Sequence, residues 1–216
     1  EEEEFEKEKE KFDRVVLACG SKAFMPPIPV EDGARVVNAW DVLEGNVDLG
    51  KNVVVIGGGA TGVETAMYIA EIGTLSAEQL RFMMIYDVEP MEKLKELLNK
   101  GSKKVSVVEM QHKLAADITP GCRWSIMARC RQLGVQMYKD TRVVEICKDG
   151  VKISGEDGEN KIPADTVVMA AGAKPNNDME ESLKKLFRQI NVIGDAYSVG
   201  KIPDAIHSAY EIASKI

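Results

Sequence analysis

An α/β fold with three layers built on a parallel sheet is what this chain of 216 residues predicts, and three observations carry the prediction. The apolar run Val53-Val-Val-Ile56 leads directly into Gly57-Gly-Gly59-Ala-Thr-Gly62 and then into Val63-Glu64-Thr-Ala-Met-Tyr-Ile-Ala-Glu-Ile72, a helix-compatible segment closed by Gly73. A strand without polar alternation suits a sheet covered on both faces. A second short apolar run, Val105-Ser-Val-Val108, offers the partner that a strand-turn-helix unit needs. Two further buried runs, Val15-Val-Leu-Ala-Cys-Gly20 and Ile162-Pro-Ala-Asp-Thr-Val-Val-Met-Ala-Ala-Gly172, both end in small residues followed by a Lys. That repetition suggests two related units flanking one another.

The glycine turn is the most specific of these features. Gly57 permits a sharp turn, Gly59 permits close approach of a pyrophosphate to the backbone, and Gly62 permits tight packing of helix on strand. Gly58, Ala60 and Thr61 complete a loop whose free N–H groups, with the positive end of the helix dipole, receive phosphate. The correct strand before it and helix after it raise the motif above a bare glycine triplet. A Rossmann-like dinucleotide-binding unit follows.

Composition excludes several alternatives. The net charge is −7 and the basic residues are scattered, so the electrostatic footprint of a nucleic-acid binder is missing. No apolar run approaches the roughly 18 residues that cross a bilayer, and the Glu/Lys-rich start has the character of neither a signal nor a transit peptide. A cytoplasmic setting without membrane attachment is the expectation. Cys19, Cys122, Cys130 and Cys147 contain no Cys-x-x-Cys spacing, which argues against a redox pair, a zinc site or a local iron–sulfur cluster. They read as free buried thiols. Cys122 and Cys130 on one helix would stand about 12 Å apart, too far to bridge.

The remaining elements follow in order. Residues 1–13 read as a solvated helix or frayed terminus, Met25-Pro-Pro-Ile-Pro29 as an extended connection, and Asn38-Ala-Trp40-Asp-Val-Leu43 as a short helical turn. Ser76-Ala-Glu-Gln79 is a capping box that opens a helix through Tyr86, and Pro90 to Leu98 forms another, closed near Gly101. Residues 74–104 are therefore a helical insertion. Cys122 to Leu133 is a helix whose Trp124 and Met127 read as core. Gly134 to Lys139, Thr141 to Cys147 and Val151 to Ser154 are short strands, with turns at Asp149-Gly150 and Asp157-Gly158.

A dinucleotide unit needs an acidic residue at the end of its second strand to accept the ribose hydroxyls. Two candidates compete. Spacing favours Asp87, after Leu80-Arg-Phe-Met-Met-Ile-Tyr86; the capping box, which makes that segment helical, favours Glu109 after Val105 to Val108. Glu109 is preferred. A carboxylate there would repel a 2′-phosphate, so NAD(H) is favoured over NADP(H), although Lys113 lies close in sequence. His112 and His207 have no catalytic context, no metal-ligating cluster is evident, and no catalytic acid or base is assigned.

The order Ala-Cys-Gly-Ser, Gly-Gly-Gly-Ala-Thr-Gly-Val-Glu, Ala-Ala-Gly-Ala-Lys-Pro-Asn, and Ile193-Gly-Asp195-Ala-Tyr resembles the flavoprotein reductases related to the pyridine nucleotide-disulfide oxidoreductases. Asn38-Ala-Trp40-Asp-Val-Leu, Leu114-Ala-Ala-Asp117-Ile with Arg123-Trp124, and Lys201-Ile-x-Asp204-Ala-Ile-His207 are similar to the C-terminal region of old-yellow-enzyme-type NADH:flavin oxidoreductases, which include 2-enoate and 2,4-dienoyl-CoA reductases. The resemblance implies a pyrophosphate on Gly57 to Gly62, a ribose on Glu109, a nicotinamide near Glu64 and the Ala171-Gly172 turn, and FAD facing Gly194 and Asp195. It implies three segments: residues 1–49 as part of an FAD domain with a linker, 50–175 as a Rossmann-like NAD(P)-binding domain, and 176–216 as a further FAD-domain segment. The first glycine fingerprint of that family, its cluster cysteines and its FMN barrel are not in this sequence, so the FAD site is expected to be incomplete. NADH would pass hydride to FAD, and upstream FMN and iron–sulfur domains of a parent enzyme would reduce an activated C=C bond, an enoate or enoyl-CoA. The competing expectation is a non-catalytic NAD(H)-binding module.

Overall fold

Val53 to Val55, each at most 1% exposed, lie in the middle strand of a five-stranded sheet. The computed structural model describes residues 11–156 and 158–215. The expectations for residues 1–10 and for Asp157 in the second turn lie outside the described residues. The chain divides into two units, one spanning Met25–Gly172 and the other comprising the described residues before and after it.

In the larger unit, β3 (Val36–Asn38), β10 (Thr166–Met169), β4 (Asn52–Ile56), β5 (Lys104–Val108) and β6 (Gln136–Tyr138) pair in that spatial order, every pair parallel. Alternate residues of β4 point to opposite faces, and the two faces meet different layers. Val53 and Val55 join a core with Val63, Ala66, Ile69 and Ala70 of α2 (Ala60–Glu71) and with Met127 and Cys130 of α5 (Pro120–Gln132). Val54 and Ile56 pack with Val143, Ile146, Val151, Ile153 and Ile162 of an antiparallel sheet formed by β7 (Arg142–Cys147), β8 (Gly150–Gly155) and β9 (Gly158–Pro163). At about 1.5–3 kcal/mol for each fully buried Val or Ile, β4 is the best-anchored strand in the unit. The three layers are thus helices, parallel sheet and antiparallel sheet. The glycine turn leaves the carboxyl end of that strand.

The run from Ile162 to Gly172, read as one strand, is two. Pro163 has no N–H to continue a ladder and ends β9. The chain then crosses between sheets, with Ala164 N–H donating to the Asp149 carbonyl and Asp165 N–H to the Asn52 carbonyl, before β10 begins. Trp124 is also corrected: it is 74% exposed. The buried side of α5 is centred between Met127 and Cys130, and Trp124 sits on the flank turned away from Cys130 at 100° per residue. The thiols divide evenly, since Cys130 and Cys147 are buried while Cys19 and Cys122 are exposed.

Between α2 and β5 stand α3 (Ala77–Ile85), opened by reciprocal Ser76 and Gln79 capping bonds, and α4 (Met91–Leu97). Leu94 is the fully buried anchor of α4. Arg129 of α5 ties the insertion down, donating from Nε to Glu71 Oε1 at 2.7 Å and from the guanidinium nitrogens to Asn99 Oδ1 and the Leu98 carbonyl. The short helix α1 (Ala39–Leu43) follows β3, with the Asn38 side chain accepting from Trp40 and Asp41 N–H.

The smaller unit pairs β1 (Val15–Leu17) with β12 (Ile190–Val192) in parallel, and β2 (Ser21–Ala23) with β11 (Ala173–Pro175) antiparallel. The two small-residue motifs noted in the sequence are therefore followed by segments that pair with each other. Leu17, Leu183 and Phe187 form its core, the last two on or just after α6 (Glu180–Leu186). A 3-10 turn at Gly194–Ala196 precedes α7 (Ile202–Ala213).

Candidate functional site

Gly57 adopts a φ of +106°, in the left-handed region that L side chains avoid. A Cβ there would collide with the carbonyl of Ala170, and Gly57 N–H donates to the Val108 carbonyl at 2.9 Å. The turn thus reaches across to the ends of both neighbouring strands, β10 and β5. At Gly62 a Cβ would strike the carbonyl oxygen of Gly57, so the first turn of α2 rests directly on the end of β4. Gly58 is enclosed differently, by Glu109 Cβ and Leu114 Cδ2, each 2.8 Å from the place a methyl would take. Gly59 is open by comparison, its nearest neighbour being the Asp117 carboxylate at 3.6 Å. Space is reserved at Gly59 and denied at Gly57 and Gly62, a division of labour that matches tight turn, ligand approach and helix packing.

Two carboxylates face this turn. Glu109, immediately after β5, accepts from Gly58 N–H at 2.5 Å through Oε2 and from Gln111 N–H at 2.8 Å through Oε1. A carboxylate has about four acceptor sites, so it keeps capacity for two hydroxyl donors. Asp117 accepts from Ala60 N–H through both oxygens, at 2.9 and 3.1 Å. Gly59, the N-cap of α2, has no side chain to offer, so the cap arrives from a loop 57 residues downstream of Ala60. That loop is pinned by Ala115 N–H donating to the Gly58 carbonyl at 2.6 Å, with Ala115 itself at φ +49°.

Thr61 and Glu64 are exposed on the first turns of α2. Ala170 N–H donates to the Ile56 carbonyl at 2.8 Å, which sets the Ala171-Gly172 turn beside the end of β4, with Gly172 exposed at φ +101°. The larger unit therefore gathers Gly57 to Gly62, Glu64, Glu109 and Ala171-Gly172 at or just beyond the carboxyl ends of its parallel strands, where open α/β sheets bind ligands. Asp87 does not end a strand; it follows α3, exposed, at φ +46°. Gly194 and Asp195 lie in the smaller unit, where Gly194 N–H donates to Ser208 Oγ at 2.9 Å and Asp195 Oδ1 accepts from Gly200 N–H at 3.1 Å. His112 bonds Asp140 at the surface. No group of three or more His, Cys, Asp and Glu among the described residues could hold a metal ion, and no described helix is long and apolar enough to cross a membrane.

Asp117 is the residue that motif reading left without a role. Its segment was noticeable only as part of a resemblance, because a capping residue is ordinarily sought just before its helix.

Comparison with known proteins places these residues in context. Residues 1–204 match the family model described as pyridine nucleotide-disulphide oxidoreductase. A metal reductase of Desulforamulus reducens is 42% identical over 205 residues, covering 95% of this chain and 31% of the relative. An NADH oxidase of Thermoanaerobacter brockii is 36% identical, covering 94% and 28%. Among solved structures, a 2-naphthoyl-CoA reductase complex superposes with a TM-score of 0.77 at 28% identity, covering all of this chain and 28% of that one. The chain spans about a third or less of the length of each.

Proposed function

This chain belongs to the pyridine nucleotide-disulphide oxidoreductase family, and from that premise we propose that it is the NAD(H)-holding part of a longer flavin-dependent reductase. The carrying observation is the glycine turn with Glu109 on it: a backbone donor loop at a helix N-terminus, and a carboxylate on Gly58 N–H at the end of the adjacent strand. The donor set suits a dinucleotide. Ala60 and Thr61 N–H would hold the pyrophosphate, Glu109 the ribose hydroxyls, and Glu64 with Ala171-Gly172 the nicotinamide side. Gly194 and Asp195 of the smaller unit would face FAD. Of the three expected segments, 1–49 and 176–216 would supply the FAD domain and 50–175 the NAD(H) domain, with the boundaries moved so that Met25–Gly172, including β3 and α1, forms the NAD(H) domain and β11 goes with the FAD domain.

When bound, the nicotinamide and flavin supply hydride chemistry. The residues of this chain bind and orient, and none is required as an acid or base. Glu109 selects NADH over NADPH because a 2′-phosphate beside a carboxylate is repelled, and the 36% identical NADH oxidase supports that choice. Electrons would leave for centres carried elsewhere in the parent protein, FMN and iron–sulfur domains among them. The naphthoyl-CoA reductase likeness supports an activated C=C acceptor such as an enoate or enoyl-CoA.

Calorimetric titration with NADH and NADPH tests the nucleotide assignment. Glu109→Ala is expected to weaken NADH by about 1–3 kcal/mol through the polar groups left unpaired, and to narrow the preference over NADPH. Unchanged binding in that variant, with a loss in Asp87→Ala, overturns the assignment. Bleaching of added FAD by NADH tests the catalytic reading; a protein that binds NADH but never bleaches flavin is a binding module.

A further inference from the structure

The N–H of Ala60 is the first donor of α2, and a dinucleotide pyrophosphate bound at the glycine turn would need it. In this structure it is already taken. Both oxygens of Asp117 lie within hydrogen-bond distance of it, and the open space over Gly59, where phosphate would approach, has that same carboxylate as its nearest neighbour. The geometry points to Asp117 as an internal anion that occupies the pyrophosphate position and must be displaced before NAD(H) binds. The inference rests on the reading of the turn as the NAD(H) site.

Three features support displacement rather than shared occupancy. A carboxylate and a phosphate oxygen cannot both sit about 3 Å from one N–H without severe repulsion, since like charges at such separation interact strongly even in a surface environment. Asp117 is exposed, so a carboxylate that leaves the Ala60 N–H is met by water. The loop that carries it has separate anchors, Ala115 N–H on the Gly58 carbonyl and Leu114 against Gly58, which hold the backbone while the carboxylate leaves. Glu109 differs. Its bond is to Gly58 N–H, two residues ahead of Ala60, and its remaining acceptor capacity would serve the ribose hydroxyls.

The consequence is selectivity. A ligand must offer the helix N-terminus a stronger or better-positioned anion than the resident carboxylate, which favours a diphosphate over single weak anions and makes Asp117 a specificity-determining residue for the nucleotide.

The test compares wild type, Asp117→Asn and Asp117→Ala for binding of NADH, inorganic pyrophosphate and adenosine, by calorimetry, with thermal melts of each unliganded protein. Asp117→Asn keeps shape and a hydrogen-bond acceptor while removing the charge. NADH and pyrophosphate are expected to bind about twofold to fivefold more tightly to both variants, the range for an exposed charge at a helix terminus, with adenosine unchanged. The gain should narrow in about 1 M salt, where the screening length of about 3 Å matches the contact distance, without disappearing, because the carboxylate and the phosphate also compete for one N–H. Equal or weaker NADH and pyrophosphate binding in both variants overturns the inference, as does a gain that vanishes in high salt or extends to adenosine. NADH failing to bind any of the three proteins instead overturns the assignment of the turn, and the inference with it.

Discussion

Gly59→Ala and Gly62→Ala, two changes of one methyl each in the same turn, should separate the chemistry of the site from the packing of the fold. At Gly62 the new Cβ meets the backbone carbonyl of Gly57 and also lies 3.3 Å from Ala170 Cβ. Backbone cannot rotate away as a side-chain tip can, so α2 must lift off β4. Overpacking of this kind costs about 1–3 kcal/mol, which at ~2–4 °C per kcal/mol for a protein of this size lowers Tm by about 2–12 °C. At Gly59 the nearest atoms are Asp117 carboxylate oxygens at 3.6 and 3.8 Å, ordinary contact, and φ is −68°, open to any residue. Alanine is a poorer N-cap than glycine by up to about 1 kcal/mol but loses less chain entropy on folding, worth about 0.4–1 kcal/mol. The two effects nearly cancel, leaving Tm within about 2 °C of wild type. The Gly59 methyl nevertheless fills the approach that a pyrophosphate needs, and NADH affinity should fall by about tenfold or more, roughly the 1.4 kcal/mol of one lost hydrogen bond. Paired thermal melts and NADH titrations read both quantities. A Gly59→Ala protein that binds NADH as wild type does, or a Gly62→Ala protein of undiminished stability, refutes the reasoning.

Other expectations follow from particular contacts. Arg129→Ala removes the guanidinium that joins Glu71, Asn99 and the Leu98 carbonyl; denaturant unfolding should show a loss of about 1–2 kcal/mol, with faster amide exchange near residues 98–101. Burial pushes the Cys130 thiol up to about 11, so at mildly alkaline pH native protein treated with iodoacetamide should be modified at the exposed Cys19 and Cys122 and spared at Cys130, as peptide mass mapping would show. The Asn52 backbone N–H, assisted by the Asn52 side chain, holds the Asp165 carboxyl below its ordinary value. Its contribution is therefore full above the unfolded pKa of about 3.9 and lost as pH falls through the lower folded value. Asp165→Asn should lower Tm near neutrality, and the difference should close in strong acid.

What the sequence announced and what it withheld divide along a physical line. Strands with no polar alternation, Val53 to Ile56 and Val105 to Val108, were legible because burial on both faces demands apolar residues at every position. The insertion was legible because Ser76 and Gln79 satisfy each other's backbone within four residues. Local rules failed where the deciding partner was distant. Pro163 broke an apolar run into strands of two different sheets, and only the long-range bonds of residues 164 and 165 to the Asp149 and Asn52 carbonyls show where the run divides. Trp124 read as core from its type and spacing, yet the face of α5 that meets β4 and α2 was set by Met127 and Cys130. The strands β2 and β11 carry almost no hydrophobic signal, since Ser21-Lys-Ala23 and Ala173-Lys-Pro175 are held by pairing with each other.

The same distinction explains the two carboxylates of the candidate site. Glu109 could be found because its position is dictated by topology: the strand parallel to β4 ends there, and any residue at that point lies beside the turn. Asp117 could not, because it lies nine residues beyond the strand in a loop whose path is decided by Ala115 bonding to Gly58 and by Leu114 filling the space that Gly58 leaves open. Glycine at 58 thus does two things at once. It gives Glu109 a donor to hold, and by lacking a side chain it admits the loop that brings Asp117 to the helix terminus. A side chain at 58 would push Leu114 and Glu109 away together, so the turn that would receive phosphate also determines which carboxylate waits there in its place.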